Sequence, residues 1–433
     1  MDRHSKRRVR SILAYRRAGA LVAAVGALGL STLAWQATAH AAGEVTITLT
    51  ALSSAKPGMD LVIADFEASQ DAIRVEATYY EPGDAYAAAV PTQFAGGNGS
   101  DIVMVLGGHA SPYSTTTFAE AGYLLDLTDE PWIDTMYAAT RPLYEVDGAV
   151  YARDLGIAPL AVTNYNRAFF AEHELAVPTT FAEMLELCTA ISDTGTTPIA
   201  WGAGNPAVNA NNLATFAART VLTEDPGWLE TRLEGETTFV DTPGWQRALE
   251  QLQEMIDGGC FSPGAGGMAL TDMIAQFATG QSAMMYTYGG LNGQVLQQTP
   301  DMDIGMFPMP ADDPADTRVQ VQASGGLAIW SESDSVESAR AFLEYFSDPA
   351  VLATFTDAAQ LLSPAQATAG ELPGIYAELD PWFANDQVLA DITARWPNAQ
   401  MNTLSGQSIQ GLFTGQKTVE DVLADMDTYF DQQ

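Results

Sequence analysis

The chain has 433 residues, 47% of them hydrophobic, and carries 19 Lys and Arg against 54 Asp and Glu. This length and composition allow two or three domains around large apolar cores and exclude a wholly disordered chain. The net charge of −35 repels nucleic acid and anionic membrane surfaces, so nucleic acid is excluded as a partner and a strongly acidic ligand is disfavoured.

Residues 1–41 have the composition of a targeting segment. Seven basic residues precede an apolar stretch at residues 18–34, and Ala39-His40-Ala41 fits the small-x-small rule for cleavage. We predict a signal peptide that ends there. A retained anchor is the alternative, because about 17 mildly apolar residues is the short limit of a membrane span. No cysteine lies nearby to carry a lipid. The expected location is extracellular or periplasmic, with association with the cell surface left open.

The next part of the chain predicts alternating strands and helices. Apolar and polar residues alternate at residues 45–49 and 73–79, as in half-buried strands. An apolar helical stripe lies between them, and a further helix is predicted at residues 84–94. Residues 102–106 form a continuous apolar run, typical of a strand buried on both faces. This order predicts a mostly parallel sheet covered by helices.

The segment at residues 148–184 carries the clearest local signals. Residues 149–165 predict one long, mostly apolar strand, interrupted by Pro159, and a short helix follows. The next helix is predicted to begin at Thr180, because Glu183 three residues later completes a capping box.

The second half of the chain repeats the alternation. Strands are predicted at residues 198–201, 283–288, 303–307 and 325–330. Helix starts are predicted from N-cap residues at Thr242, Asp334 and Thr418. The alternation indicates a second α/β region.

Cys188 and Cys260 are the two cysteines of the chain. An exported protein with two cysteines favours a disulfide between them, and two buried thiols are the alternative.

Five further motifs, taken in chain order, resemble those of one protein family. They read QFAGGNGSDIV at 93–103, FATGQSAMMYTYGG at 277–290, DIGMFPMP at 303–310, GGLAI at 325–329 and FTGQKTVEDVL at 413–423. Together with residues 148–184 they are similar to the family 1 extracellular solute-binding proteins. These are the sugar-binding subunits of ABC importers, related to maltose-binding protein.

The resemblance implies an α/β fold of the periplasmic-binding-protein type II kind. Two lobes, each a mostly parallel sheet flanked by helices, would be joined by a hinge that the chain crosses three times. The first lobe would hold residues 42–157 and 320–358, and the second lobe residues 158–319 and 359–433. The implied function is capture of a neutral sugar or oligosaccharide by hinge closure and delivery to the membrane subunits of an ABC permease. The implied protein is a monomer without cofactor, metal or catalytic activity.

Ligands of open α/β sheets bind beyond the carboxyl ends of the strands, which selects four loops of this chain. Aromatic rings suit the C–H faces of a sugar, and hydroxyl, amide and main-chain groups suit its hydroxyls. The predicted ligand-binding residues are Ser53, Ser54, Gly108, His109, Trp201, Asn205, Tyr286, Tyr288, Gly289, Gly290, Asn292 and Trp382.

Several of these residues have a structural alternative. Trp201 and Tyr286 also fit a lobe core, His109 fits a solvated loop, and Trp382 fits packing under a C-terminal loop.

Three other functions compete with sugar capture. A binding protein for another solute, such as a polyol or peptide, fits the same motifs less well, and a surface adhesion protein would need no closed state. An exported glycoside hydrolase needs a carboxylate pair, which 54 acidic residues always allow. Residues 42–433 hold two histidines, His109 and His173, and no GxSxG elbow or His/Cys metal spacing. An enzyme is therefore disfavoured.

Overall fold

The computed structural model of the protein describes residues 44–81, 83–109, 111–398 and 400–432; of Gly83 and Asp84 it describes the backbone only. The predicted signal peptide at residues 1–41 lies outside this range. None of the helices formed by the described residues combines the length and apolar character that a membrane crossing requires.

Strands and helices alternate through most of the described chain. The strands are β1 (Val45–Leu52), β2 (Ile73–Tyr80), β3 (Ile102–Val105), β4 (Glu145–Val146), β5 (Ala149–Val150), β6 (Arg153–Asp154), β7 (Ile157–Leu160), β8 (Val162–Asn166), β9 (Thr197–Ala200), β10 (Ser282–Thr287), β11 (Ile304–Phe307), β12 (Val319–Ala323), β13 (Gly326–Ile329) and β14 (Val388–Ala390). The α-helices are α1 (Lys56–Ser69), α2 (Gly83–Ala95), α3 (Thr115–Glu120), α4 (Arg167–Glu172), α5 (Phe181–Asp193), α6 (Pro206–Thr220), α7 (Trp228–Leu233), α8 (Pro243–Asp257), α9 (Leu270–Ala278), α10 (Asn292–Gln298), α11 (Val336–Phe346), α12 (Pro349–Ala359), α13 (Pro364–Ala369), α14 (Asp380–Ala384), α15 (Met401–Thr414) and α16 (Val419–Phe430). Short 3-10 helices connect several of them, among them Ser53–Ala55, Pro314–Asp316 and Ile392–Arg395.

The first lobe is built on a five-stranded sheet with the order β2-β1-β3-β13-β6. β1 pairs in parallel with β2 and β3, whereas β13 pairs antiparallel with β3 and β6. Helices α1, α11 and α12 pack over this sheet, and α1 approaches α12 closely at Gly58, where a Cβ would lie 2.6 Å from the carbonyl oxygen of Phe355.

The second lobe is built on a four-stranded sheet with the order β11-β8-β10-β9. β10 is parallel to β9, and β8 runs antiparallel to both β10 and β11. Both sheets are therefore mixed. The strands that alternate with helices pair in parallel, and the strands that arrive from the other lobe pair antiparallel, which refines the expectation of mostly parallel sheets.

The hinge is a third sheet with the order β14-β12-β7. β7 pairs antiparallel with β12, and Ile157 of β7 exchanges main-chain hydrogen bonds of 3.0 and 2.9 Å with Leu362. Three passages of the chain between the lobes thus lie side by side and are hydrogen-bonded to one another. A hydrophobic cluster that includes Val321 and Phe383 covers them.

The prediction of one long strand at residues 149–165 is wrong. The structure divides this segment into β5, β6, β7 and β8, and each belongs to a different sheet. The breaks include Gly156, with φ +117°, and Ala161, with φ +44°, because a left-handed residue ends a strand. A Cβ on Gly156 would lie 2.9 Å from the carbonyl oxygen of Leu362, so the hinge passages come this close only because the residue is glycine.

The predicted capping box is present at Thr180 with Glu183. The last helix begins after Thr418 as predicted, and the structure adds a capping box there with Asp421. α8 follows Thr242 as predicted, with Pro243 in its first turn. The predicted cap at Asp334 is wrong, because α11 begins after Ser335 and no side chain caps it. Cys188 of α5 and Cys260, just after α8, form a disulfide inside the second lobe with 5.0 Å between their Cα atoms.

Candidate ligand-binding site

A cavity of about 380 Å³ lies between the two lobes. The ends of β1 and β3 face it from the first lobe, and the end of β10 faces it from the second. The segment after β12 lies between them at the hinge. This is the position at which an open α/β sheet binds a ligand, beyond the carboxyl ends of its strands.

The first lobe contributes a mainly apolar surface, which we call the apolar wall. Its apolar members are Leu52, Ala55, Met104, Leu106, Leu143, Leu155 and Phe355. Small residues such as Ser54, Gly107 and Ser111 complete it. This wall offers C–H groups and one aromatic ring, and few hydrogen-bonding side chains.

The opposite surface, formed by the second lobe and the hinge, is polar, and we call it the polar wall. Its polar members are Asn211, Tyr288, Gln322, Ser324, Asp391, Thr393 and Asn402, and its apolar members are Ala323, Ala359, Leu361 and Ala394. Among the described lining residues of both walls no Lys, Arg or His is present, and Asp391 is the one carboxylate. The wall therefore combines neutral donors and acceptors with a single negative charge.

Asp391 follows β14 and caps the 3-10 helix Ile392–Arg395. Its carboxylate accepts hydrogen bonds from the backbone N–H of Thr393 at 2.8 Å and from the Thr393 hydroxyl at 2.8 and 2.9 Å. The residue is 7% exposed. Burial raises the pKa of the Asp391 carboxyl to about 6, although the hydrogen bonds from Thr393 act in the opposite direction. At neutral pH the group is mostly ionised and accepts strong hydrogen bonds from hydroxyl groups.

Tyr288 stands where β10 ends. Its ring folds over Gly290, since a Cβ there would lie 2.4 Å from the ring. Burial raises the pKa of Tyr288 above its ordinary value, and a hydrogen bond with Gln322 opposes this. The phenol therefore stays protonated and able to donate.

Two polar atoms of the polar wall have no hydrogen-bond partner among the described residues. They are the Ser324 hydroxyl oxygen and the Asn402 side-chain carbonyl oxygen. Buried polar groups without partners are costly, and a hydroxyl-bearing ligand would satisfy both of these.

Packing of α6 against α15 fixes the position of Asn211 and Asn402. A Cβ on Gly406 of α15 would lie 1.9 Å from the carbonyl oxygen of Pro206. The Asn209 amide joins the two helices by donating to the carbonyl oxygens of Ala203 and Gly406, each at 2.9 Å.

The rim of the cavity is closed by main-chain groups at Gly108 and His109. The His109 N–H donates to the carbonyl oxygen of Ala394 at 2.8 Å. Gly108 has a left-handed backbone, with φ +82°, and its N–H donates to Leu143 at 2.6 Å.

The structure brings some of the predicted site residues to the cavity. Ser54 and Tyr288 line it. Gly289 and Gly290 form the turn after Tyr288, and the Ser53 hydroxyl donates to Glu81 at 3.2 Å. Ser53, Gly108, His109, Gly289 and Gly290 border the lining residues and are not among them.

Trp201 and Tyr286 were predicted to contact the ligand, and the structure places both in the core of the second lobe. Both are fully buried, and their rings pack against each other and against Phe216. The Trp201 ring N–H donates to Asn209 at 2.9 Å, and the Tyr286 hydroxyl bonds to Thr215. Protein atoms cover the ring faces, so neither residue serves as a stacking surface.

Three further predicted residues also have other partners. Asn205 caps α6 by accepting from the backbone N–H of Ala207 at 3.0 Å. Asn292 is fully buried and its amide donates to Asn164 at 2.7 Å. Trp382 packs against the hydrophobic cluster of the hinge. None of the three is among the residues that line the cavity.

Most of the polar wall was missed from the sequence. Asp391 follows a strand of three residues, β14, which is too short for a periodicity to be read. A signal did exist for Asn211, because the asparagines at 209, 211 and 212 lie inside one helix, where asparagine is disfavoured. Among the described residues no group of three or more His, Cys, Asp or Glu is arranged to hold a metal ion.

The family model described as "Bacterial extracellular solute-binding protein" matches residues 52–353. A protein of Brucella abortus named as a binding protein is 23% identical over 412 residues, which are 92% of this chain and 94% of the relative. The melibiose/raffinose/stachyose-binding protein MelE of Bacillus subtilis is 24% identical over 251 residues, 56% of this chain and 57% of MelE.

Solved structures show the same fold. Apo RafE of Streptococcus pneumoniae has a TM-score of 0.76 at 18% identity, covering 90% of this chain and 98% of RafE. A family 1 extracellular solute-binding protein of Bifidobacterium longum subsp. infantis has a TM-score of 0.75 at 20% identity, covering 90% of this chain and 100% of that protein. A structure of RafE in complex with raffinose has a TM-score of 0.72 at 18% identity, covering 89% of this chain and 99% of that one. With the two-lobed fold and the match over residues 52–353, the chain belongs to the bacterial extracellular solute-binding protein family.

Proposed function

We propose that the protein is the solute-capturing subunit of an ABC importer and that it binds a neutral sugar or short oligosaccharide between its lobes. The observation that carries this proposal is the cavity of about 380 Å³ with one apolar and one polar wall. The bound sugar is delivered to the membrane subunits of the permease and is not altered chemically. The mature protein is a monomer without cofactor, exported by residues 1–41.

A sugar matches the two walls because it also presents both apolar and polar groups. Its C–H groups suit the apolar wall, where Phe355 offers an aromatic ring, and its hydroxyls suit the amides, hydroxyls and carboxylate of the polar wall. Asp391 repels anions, and no cation among the described lining residues compensates for it. A neutral ligand is therefore favoured over a sugar acid or sugar phosphate.

The relatives support this ligand class. MelE is named for melibiose, raffinose and stachyose, and RafE is solved with raffinose. The cavity volume lies near the lower end of the range of about 300–1,000 Å³ found for small-molecule sites. We therefore propose a ligand of one to a few sugar units.

Capture follows from the hinge. We propose that the first lobe comprises residues 42–157 and 320–358 and that the second comprises residues 158–319 and 359–433. Each of the three passages between them provides a point at which the backbone can bend. The sugar contacts both walls only when the lobes are closed, so it shifts the population towards the closed form, which the permease recognises.

Calorimetric titration of the protein without residues 1–41 tests this function. Galactose, melibiose, raffinose and stachyose form the panel, and galacturonate is the matched anionic control. We expect saturable binding of at least one neutral sugar and none of galacturonate. At a concentration one hundred times Kd the sugar should add about 2.7 kcal/mol to the free energy of unfolding.

Absence of binding across a wider panel of neutral sugars contradicts the proposal. Binding of a polyol or peptide instead supports capture of a different solute. Release of new reducing ends from a bound oligosaccharide, measured after overnight incubation, supports a glycoside hydrolase.

A further inference from the structure

One contact between the lobes involves main-chain atoms only. The loop after β3 belongs to the first lobe, where the Gly108 N–H donates to Leu143 at 2.6 Å and the Gly108 carbonyl oxygen accepts from Thr116 at 3.1 Å. From this loop the His109 N–H reaches the carbonyl oxygen of Ala394 at 2.8 Å.

Ala394 is held by the second lobe. It lies in the 3-10 helix Ile392–Arg395, whose first residue, Ile392, is part of the hydrophobic core of that lobe, as is Trp396 just after it. Arg395 pairs with Glu230 of α7 at 2.6 Å. The hydrogen bond from His109 therefore spans the cleft at its rim.

Gly108 makes this approach possible. A Cβ at residue 108 would lie 2.1 Å from the carbonyl oxygen of Ala394 and 2.7 Å from its carbonyl carbon. Both atoms are main chain and cannot move aside as a flexible side chain would. Any residue larger than glycine therefore keeps the two rims apart.

We propose that Gly108 is a positioning residue, and that it lets His109 and Ala394 form a main-chain latch which holds the cleft closed. The inference rests on the proposed function, since it assigns a regulatory role within that binding site. Neither Gly108 nor His109 is among the residues that line the cavity. The latch therefore adds to the stability of the closed form whichever sugar is bound.

The test compares Gly108→Ala with Gly148→Ala. Gly148 has the same left-handed φ of +82°, and a Cβ there would meet nothing within 4 Å. It lies between the short strands β4 and β5, apart from the cavity lining. Both variants place a side chain at the same left-handed φ, and only Gly108→Ala obstructs the latch. A similar decrease in the melting temperature of the two sugar-free variants is the control for folding.

Two measurements are made on the variants. The first is hydrogen–deuterium exchange of the His109 amide without sugar. We expect slower exchange in the wild type and in Gly148→Ala than in Gly108→Ala. The second is the Kd for raffinose or the tightest-binding sugar of the panel. We expect an increase of about tenfold in Gly108→Ala, mainly through faster dissociation, and a change within about twofold in Gly148→Ala.

Equal exchange of the His109 amide in the wild type and Gly108→Ala overturns the latch, and so does an unchanged Kd in Gly108→Ala. If Gly108→Ala does not fold, hydrogen–deuterium exchange of the wild type tests the proposal alone. A His109 amide that exchanges as fast as an unprotected amide then overturns the proposal. The exchange experiment needs no sugar. A failure of the proposed function, seen as no sugar binding by the wild type, is thus distinguishable from a failure of the latch.

Discussion

The two walls of the cleft differ in the kind of group that they present. The wall from the first lobe is built of aliphatic side chains around Met104, Leu106 and Leu155, whereas the opposite wall is built of amides, hydroxyls and the Asp391 carboxylate. A site of this kind recognises amphipathic ligands. The apolar wall removes apolar surface of the ligand from water, and this hydrophobic contribution is not directional. The polar wall fixes the orientation of the ligand through directional hydrogen bonds.

Trp201 belongs to neither wall of the cleft, and its replacement should have the largest effect on the protein. Because Trp201 lies in the core, Trp201→Ala should lower the free energy of unfolding by about 3–5 kcal/mol. Its Kd for sugar should stay within about twofold of the wild type. Urea unfolding followed by circular dichroism and calorimetric titration measure the two quantities.

Trp382→Ala is the matched control for Trp201, because Trp382 is a half-buried tryptophan on the hinge cluster. Its expected loss of stability is smaller, about 1–2 kcal/mol. A large loss of affinity in Trp201→Ala without loss of stability would mean that Trp201 contacts the ligand.

Removing the charge of the polar wall should have the next largest effect. Asp391→Asn should raise the Kd for a neutral sugar about 10- to 100-fold, because a hydrogen bond to a charged group contributes about 1.5–3 kcal/mol. Asp313→Asn is the control, since Asp313 also caps a 3-10 helix, accepting from the Ala315 N–H at 2.9 Å, and does not line the cavity. Equal affinities of the two variants would contradict the role of Asp391.

The affinity for sugar should also depend on pH, because Asp391 titrates near pH 6. With a pKa of about 6, Asp391 is ionised at pH 7 and protonated at pH 5. Kd should therefore rise about tenfold between pH 7 and pH 5, and Asp391→Asn should abolish this dependence. Tyr288 does not contribute, because its raised pKa keeps it neutral throughout this range.

Ionisation of Asp391 should lower the stability of the sugar-free protein, whereas it should raise the affinity for sugar. A carboxyl whose pKa is higher in the folded than in the unfolded chain stabilises the fold below pH 4, and this stabilisation is lost as pH rises through about 6. The stability of Asp391→Asn minus that of the wild type should therefore be larger at pH 7 than at pH 4. Thermal melts across pH 4 to pH 7 measure this, and parallel profiles of the two proteins would contradict it.

The apolar wall should give the smallest effect, because its contribution is not directional. Leu106→Ala removes part of one aliphatic surface and should raise Kd about threefold. Leu61→Ala, at an exposed leucine of α1 outside the cavity lining, is the control and should leave Kd unchanged. An effect as large as that of Asp391→Asn would mean that the two walls do not differ in the way proposed.

Much of the fold could be predicted from the sequence because its signals are local. Alternation of apolar residues located β1 and β2, the capping box at Thr180 located the start of α5, and Thr418 marked the start of α16. The division of residues 149–165 into four strands was not predictable, because left-handed φ at Ala161 and the close approach of Leu362 to Gly156 depend on the assembled hinge.

The site was harder to predict because aromatic residues near strand ends serve two purposes. Tyr286 and Tyr288 are two residues apart, yet one is fully buried in the core and the other lines the cavity. Which of them faces the ligand depends on where β10 ends. Asp391 and Asn402 are brought to the cleft by β14 and α15, late elements whose position follows only from packing.

The three passages of the chain between the lobes have a consequence for synthesis. The sheet of the first lobe needs β13, which follows the first 160 residues or so of the second lobe, and the core of the second lobe needs α16 near the end of the chain. A nascent chain therefore completes neither half before nearly all of it has been made. A fragment ending before β13 would leave an edge of β3 unpaired and prone to aggregate, so neither half is suited to production on its own.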